Sequence, residues 1–259
     1  MHNRVDELAQ DKLIPRVTGD QRKEFDIEFN AEECMASSNM EEVRDCADYF
    51  YRRLTEQPED DELFGIIDSL YRKLTKTEPT VEDMLDYANL FSYRADHFGN
   101  QQNYKEAGYY ASRYVKITKA ACDLDPESEN TRTRLYSAYW NYSWYTILSG
   151  DFKGGLEAAE AGLAVPSDNE EKNGILSNKA IAMLLSGKTE QDFQKAKAFY
   201  EENLERPWVD SRFPTFREVF EDDFQVLEKA VKLSPENARK ISQIRKDVLK
   251  LNEQKKEGG

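Results

Sequence analysis

Two stretches of this chain repeat one pattern, and the repeat sets what it can fold into. Tyr139-Trp140-Asn141-Tyr142-Ser143-Trp144-Tyr145-Thr146-Ile147-Leu148 is a helix-patterned, aromatic-rich run that enters the turn Ser149-Gly150-Asp151-Phe152. Leu176-Ser177-Asn178-Lys179-Ala180-Ile181-Ala182-Met183-Leu184-Leu185 behaves alike and enters Ser186-Gly187. Gly150 and Gly187 stand 37 residues apart. A period in that range, with helical runs closed by glycine, is the signature of stacked helix pairs. Such units bury a continuous core between neighbours, and they more often bind than catalyse.

The rest of the chain carries the same periodicity. Val43, Cys46, Ala47, Phe50, Tyr51 and Leu54 recur at spacings of three and four, which puts them on one face of a helix. Gln57-Pro58-Glu59-Asp60-Asp61 ends that helix, and Leu63, Ile66, Ile67, Leu70 and Leu74 form the next stripe. Thr80, followed by Glu82 and Asp83, reads as an N-cap with an acidic first turn. Helices are expected from there through Ala95, from Asn103 to Ala121, and as pairs at about 129–149 with 152–165 and 170–186 with 190–205. A further helix is expected from Thr215 to Leu233, and Ser234-Pro235-Glu236 opens a last one to about Leu251.

Residues 1–37 read as an N-terminal extension or partial helix. A short helix spans Val5 to Leu13, a turn lies at Val17-Thr18-Gly19-Asp20, and Glu24 to Phe29 alternates polar and apolar residues as an extended connection or a helix start. Residues 38–233 read as the helical array, and 234–259 as a capping helix with a frayed basic tail. The breaks are short turns, not linkers.

Charge narrows the partners. The net charge of −14 disfavours binding to phosphate backbones. From Lys229 onward the balance reverses, with Lys232, Arg239, Lys240, Arg245, Lys246 and Lys250 among the basic residues. Those residues form either a solvated face or a face that docks on an acidic surface. Cys34, Cys46 and Cys122 are odd in number and lack CxxC spacing, so no disulfide framework is expected, and each reads as a small apolar core residue. Met1 to Asp6 lacks the apolar core of a signal peptide, and no run reaches the length of a membrane span. The expectation is a soluble, cytoplasmic protein without membrane insertion.

Chemistry-bearing motifs are weak. Ala182-Met183-Leu184-Leu185-Ser186-Gly187-Lys188-Thr189 meets a relaxed phosphate-loop pattern, but its intervening residues continue a helix where a glycine-rich loop after a strand is needed. Asn141-Tyr142-Ser143 is a glycosylation sequon placed in mid-helix. His2 and His97 have no Cys or His partner at ligand spacing, and no Ser-His-Asp or Cys-His set is discernible. Neither a cofactor, a metal nor an enzymatic activity is expected.

Between about 81 and 205 the chain resembles the tetratricopeptide repeat family, in its bacterial-type arrays. Ser143 and Ala180 fall at the small position of the first helix of a pair, and Gly155 and Ala196 at that of the second. Phe152 is the turn aromatic, and Ala121-Cys122-Asp123-Leu124-Asp125-Pro126 matches the closing pattern. Departures are a second helix about two turns long in excess between Ala107 and Ala121, an insertion at Phe98 to Gln102, and Pro166 one residue early. The resemblance implies an all-α, right-handed α-solenoid of antiparallel helix pairs, four to five in number. It further implies a protein–protein adaptor or scaffold that takes a protein or peptide partner in its concave groove. By helical phase Trp140, Asn141, Trp144 and Ile147 would face that groove from one pair, and Ser177, Asn178 and Ile181 from the next. Packing of both Trp residues between helices is the competing reading. A regulatory sensor of a small peptide, or an interaction module of a larger effector system, is the alternative function.

Overall fold

A computed structural model of the protein describes residues 29–166, 173–206 and 215–250. The expected helix at Val5 to Leu13, the turn at 17–20, the alternating segment before Phe29 and the tail from Glu253 lie outside the described residues.

The described residues are helical throughout their length apart from turns. The helices are α1 (Ala31–Ala36), α2 (Met40–Glu56), α3 (Asp61–Thr77), α4 (Val81–Asn100), α5 (Tyr104–Leu124), α6 (Glu129–Leu148), α7 (Phe152–Leu163), α8 (Asn173–Ser186), α9 (Glu190–Asn203), α10 (Phe216–Ala230) and α11 (Pro235–Ile244). A π-helical turn, Arg245–Leu249, follows, and Lys250 closes it at a φ of 53°. The last helix thus ends about where its capping signal and periodicity place it, while α1 has too few residues to show a period.

Side-chain caps set most of the starts. Thr80 accepts the Asp83 N–H, as its sequence context predicts. Thr189 with Asp192 and Thr215 with Glu218 form reciprocal capping boxes. Gly150 ends α6 at a φ of 90°. Its N–H donates to Ile147 at 2.9 Å and the Asp151 N–H to Thr146 at 3.1 Å, which is a Schellman closure that favours glycine.

Each helix from α2 to α8 packs on the one that follows it, and alternate helices α4 and α6, then α6 and α8, also touch. α5 has 21 residues where α7 has 12, so the excess length expected after Ala107 is present. Arg94 ties the α2–α3 turn to α4. It is 2% exposed and its guanidinium lies 5.2 Å from the Phe64 ring centre, 5.1 Å from that of Phe98 and 6.0 Å from that of Tyr110. It donates to the Pro58 carbonyl and pairs with Asp61.

The C-terminal part closes around α8. That helix is buried on nearly every side, from Asn173 to Leu185, and it meets α6, α7, α9, α10 and α11. Lys240 of α11 and Arg245 of its π turn dock on the chain itself, while Arg239 and Lys246 are exposed. Lys240, 6% exposed, donates to the Gly187 carbonyl at 2.6 Å and pairs with Glu236 at 3.1 Å. A cation there satisfies the C-terminal end of α8 and its dipole. Arg245 bridges Glu221 at 2.8 Å and Glu228 at 2.7 Å.

The cysteine expectation is corrected. Cys34 and Cys46 form a disulfide, with their Cα atoms 6.1 Å apart. The turn after α1 folds that helix back over α2, which brings together two thiols whose spacing alone does not imply a bond. Cys122 is free and half-buried, 3.4 Å from the Thr131 hydroxyl.

Candidate functional site

Of the residues expected on a concave groove, Asn178 reaches from α8 across to α6. Asn178 is 3% exposed, and its Nδ2 donates to the Trp140 carbonyl at 3.0 Å and to the Ser143 hydroxyl at 2.8 Å. Ser177, 1% exposed, donates to the Asp223 carboxylate of α10. Ile147 and Ile181 are fully buried in the C-terminal core, and Asn141 is buried as well. These five side chains are therefore buried. Helical phase does not tell what covers a face, and at Ser177 the chain's own α10 does. Trp140 and Trp144 are half-buried. The Trp140 indole lies on Gly174, where an added methyl group would overlap it. Trp144 packs against the C-terminal core and against the cluster of Ala95, Ala107, Ala111 and Tyr145.

The Asn178 contact predicts a stability effect. Asn178→Ala removes both hydrogen bonds between α6 and α8 and should cost about 1–2 kcal/mol, read as a lower urea midpoint with an unchanged slope.

An open depression lies elsewhere, between α4 and α6. Val81, Glu82, Leu85, Asp86 and Asn89 line it from α4, and Asn130 and Arg134 from α6, around a volume of about 350 Å³. Glu82, Asp86 and Asn89 are spaced by four and three residues, and Asn130 and Arg134 by four, so each set shares a helix face. Arg134 reaches Asn89 at 3.4 Å. About two turns further along α4, the Tyr145 hydroxyl donates to Asp96 at 2.8 Å and ties the same two helices.

The electrostatics of this depression are uneven. Asp83, buried behind it, is held by Arg44 through three contacts of 2.9, 3.1 and 3.0 Å. Asp86 has no such grip. Burial pushes its carboxyl up to about 6, and the neighbouring carboxylates of Asp48, Glu82 and Asp83 add to the rise while Arg134 opposes it. Desolvation and like charge both disfavour the ionised form, so a cation placed beside Asp86 would relieve the site. The seven lining residues include no nucleophile and base in reach of one another. Sequence reading missed the depression, although polar residues recurring at helical spacing within the apolar pattern of α4 were its available signal.

The other candidates resolve structurally. In the phosphate-loop-like stretch, Gly187 forms the turn after α8, and the N–H groups of Lys188 and Thr189 donate to Asp192 at 3.1 and 3.0 Å. The donors that a phosphate would need are thereby taken by a helix cap. His97 leans on the Phe98 ring and bonds Gln101 at 2.9 Å, and burial with the nearby Arg94 lowers its proton affinity. Among the described residues no group of His, Cys, Asp or Glu is arranged to hold a metal ion, and no helix is long and apolar enough to cross a membrane. In comparisons with known families and with curated proteins, the chain matches no family model and no curated protein.

Proposed function

We propose that this chain is a scaffold of the tetratricopeptide-repeat kind, a right-handed α-solenoid that binds a segment of a protein partner. Helices packed in consecutive order, with alternate helices α4, α6 and α8 in contact, support that reading. The observation that carries it is the depression between α4 and α6. It lies between two alternate helices, as a groove between the first helices of successive pairs would. It also offers Asp86 and Glu82 beside apolar walls from Val81 and Leu85. A partner's lysine or arginine fits this chemistry: the ammonium or guanidinium meets the carboxylates and the aliphatic stem covers the walls. The net charge of −14 would draw a basic segment toward it. Trp140 and Trp144, partly exposed on α6, offer further area for apolar residues of the partner.

The test uses the full chain and short peptides that differ only in carrying lysine, glutamine or glutamate, with affinity read by fluorescence anisotropy. Lysine peptides should bind best, and Asp86→Asn should weaken them about tenfold. Affinity should also fall as pH drops below about 6, where Asp86 takes up a proton and loses its charge. Equal binding of all three peptide classes would reject the reading. Sensitivity to Trp144→Ala without sensitivity to Asp86→Asn would move the site from the α4–α6 depression to the tryptophans.

A further inference from the structure

At the N-terminal end of the described chain, α1 has six residues, too few to be helical by their own hydrogen bonds. It is held from outside. Cys34 is bonded to Cys46 of α2. The Lys73 ammonium of α3 donates to the carbonyls of Met35, at 2.7 Å, and Ser37. The Phe29 ring rests on Tyr49 with centres 5.3 Å apart. Cys34 and Cys46 are 2% and 0% exposed and belong to the same core cluster as Val43, Ala47, Leu70 and Leu74. A helical array needs its end covered, and α1 supplies that cover here.

We propose that the Cys34–Cys46 disulfide is a redox latch that keeps α1 docked over the end of the array. A dithiol reductant opens it in two exchanges. Its first thiolate attacks one bridge sulfur, forming a mixed disulfide and releasing the other cysteine as a thiolate. Its second thiolate then displaces the remaining cysteine and leaves the reductant as a disulfide. Two electrons pass to the protein, and Cys34 and Cys46 end as thiols with the two protons that the reductant gave up. Both sulfurs are buried, so α1 must lift before either is attacked. Once reduced, the short helix keeps the Lys73 and Phe29 contacts, the packing of Ala31 and the Ser37–Glu42 hydrogen bond, none of them covalent, and the apolar end formed around Val43 and Ala47 is more readily uncovered. Disulfides persist in oxidising surroundings and are lost in a glutathione-reduced cytosol. The latch is closed in the first and open in the second, which ties the exposure of this end to the compartment.

The experiment begins with full-length protein purified in the presence of an alkylating agent and mapped without reduction. Cys122 should be labelled, and Cys34 and Cys46 should appear in one linked pair of peptides; labelling of all three cysteines would overturn the proposal. The oxidised protein and the protein treated with dithiothreitol are then digested by a glutamate-specific protease. Cleavage after Glu32 and Glu33 should become about tenfold faster on reduction, while helical circular dichroism stays nearly constant. Cys34→Ser should behave as the reduced wild type does. Unchanged cleavage would show that α1 does not depend on the bridge, and loss of the whole helical signal would show a global staple instead of a latch; either result sinks the idea.

Discussion

Arg94→Ala should lower the unfolding free energy by about 3 kcal/mol, the range expected when a buried, partnered charge is cut away. Arg94 is 2% exposed and holds three things at once. Its guanidinium covers the rings of Phe64, Phe98 and Tyr110, satisfies the Pro58 carbonyl and reaches Asp61. The ion pair is the smallest part, because the Asp61 side chain is 85% exposed and water screens it. Asp61→Ala should therefore change stability little beside the arginine variant. Contacts with the rings, and the gap left among them, make up most of the loss. Arg94→Lys should recover less than half, since a compact ammonium cannot lie flat among three rings while reaching two acceptors. Guanidinium chloride unfolding of the four proteins decides the matter. A loss confined to the Asp61 variant would reverse the ranking of the terms.

Asp86→Asn should stabilise the protein by about 2 kcal/mol at pH 7 and by nothing measurable at pH 3. The sign follows from proton uptake. The folded carboxyl titrates near 6, against an ordinary value of 3.8. Between those values the folded chain holds a proton that the unfolded chain has released, so stability falls as pH rises through that window. Above about 6 the charged form is carried at full cost, and asparagine removes it. Melting temperatures of wild type and variant should differ at pH 7 and converge toward pH 3. A variant less stable than wild type at pH 7 would mean that ionised Asp86 is already well compensated within the chain. Together with the peptide experiment, this separates two effects of one residue: the carboxylate that weakens the free fold is the one that would attract a cationic partner.

How much of this was legible depended on whether a feature is local. Thr80, the Gly150-Asp151 turn and Ser234-Pro235 carry their meaning within four residues, and the helices begin and end where those signals stand. Of the α6 and α8 residues singled out from the repeat, Asn178 bonds the Trp140 carbonyl across the two helices. What covers Ser177 is decided by α10, whose Asp223 stands 46 residues further on, while Asn178 is closed in by α6. One sign of this was present: from Ile175 to Leu185, α8 reads apolar or small at every position but Asn178 and Lys179, as a largely enclosed helix does. The Cys34–Cys46 bond was not legible, since spacing places no limit on where a six-residue helix docks. The α4–α6 depression was legible only in pieces, because its two sides are separate polar spacings on helices that meet through the fold.

The enclosure of α8 bears on how this chain can be shortened or lengthened. In an open array the last pair can be removed, and the one before it becomes the new end with only one face newly wetted. Here α8 has neighbours from both sides in sequence, α6 and α7 before it and α9, α10 and α11 after it. A chain cut after Arg206 loses the partner of Ser177 and exposes a helix that has no solvent-ready face. Removal of the last helices therefore strips α8 of its contacts with α10 and α11 together, a larger loss than trimming one end of an open array.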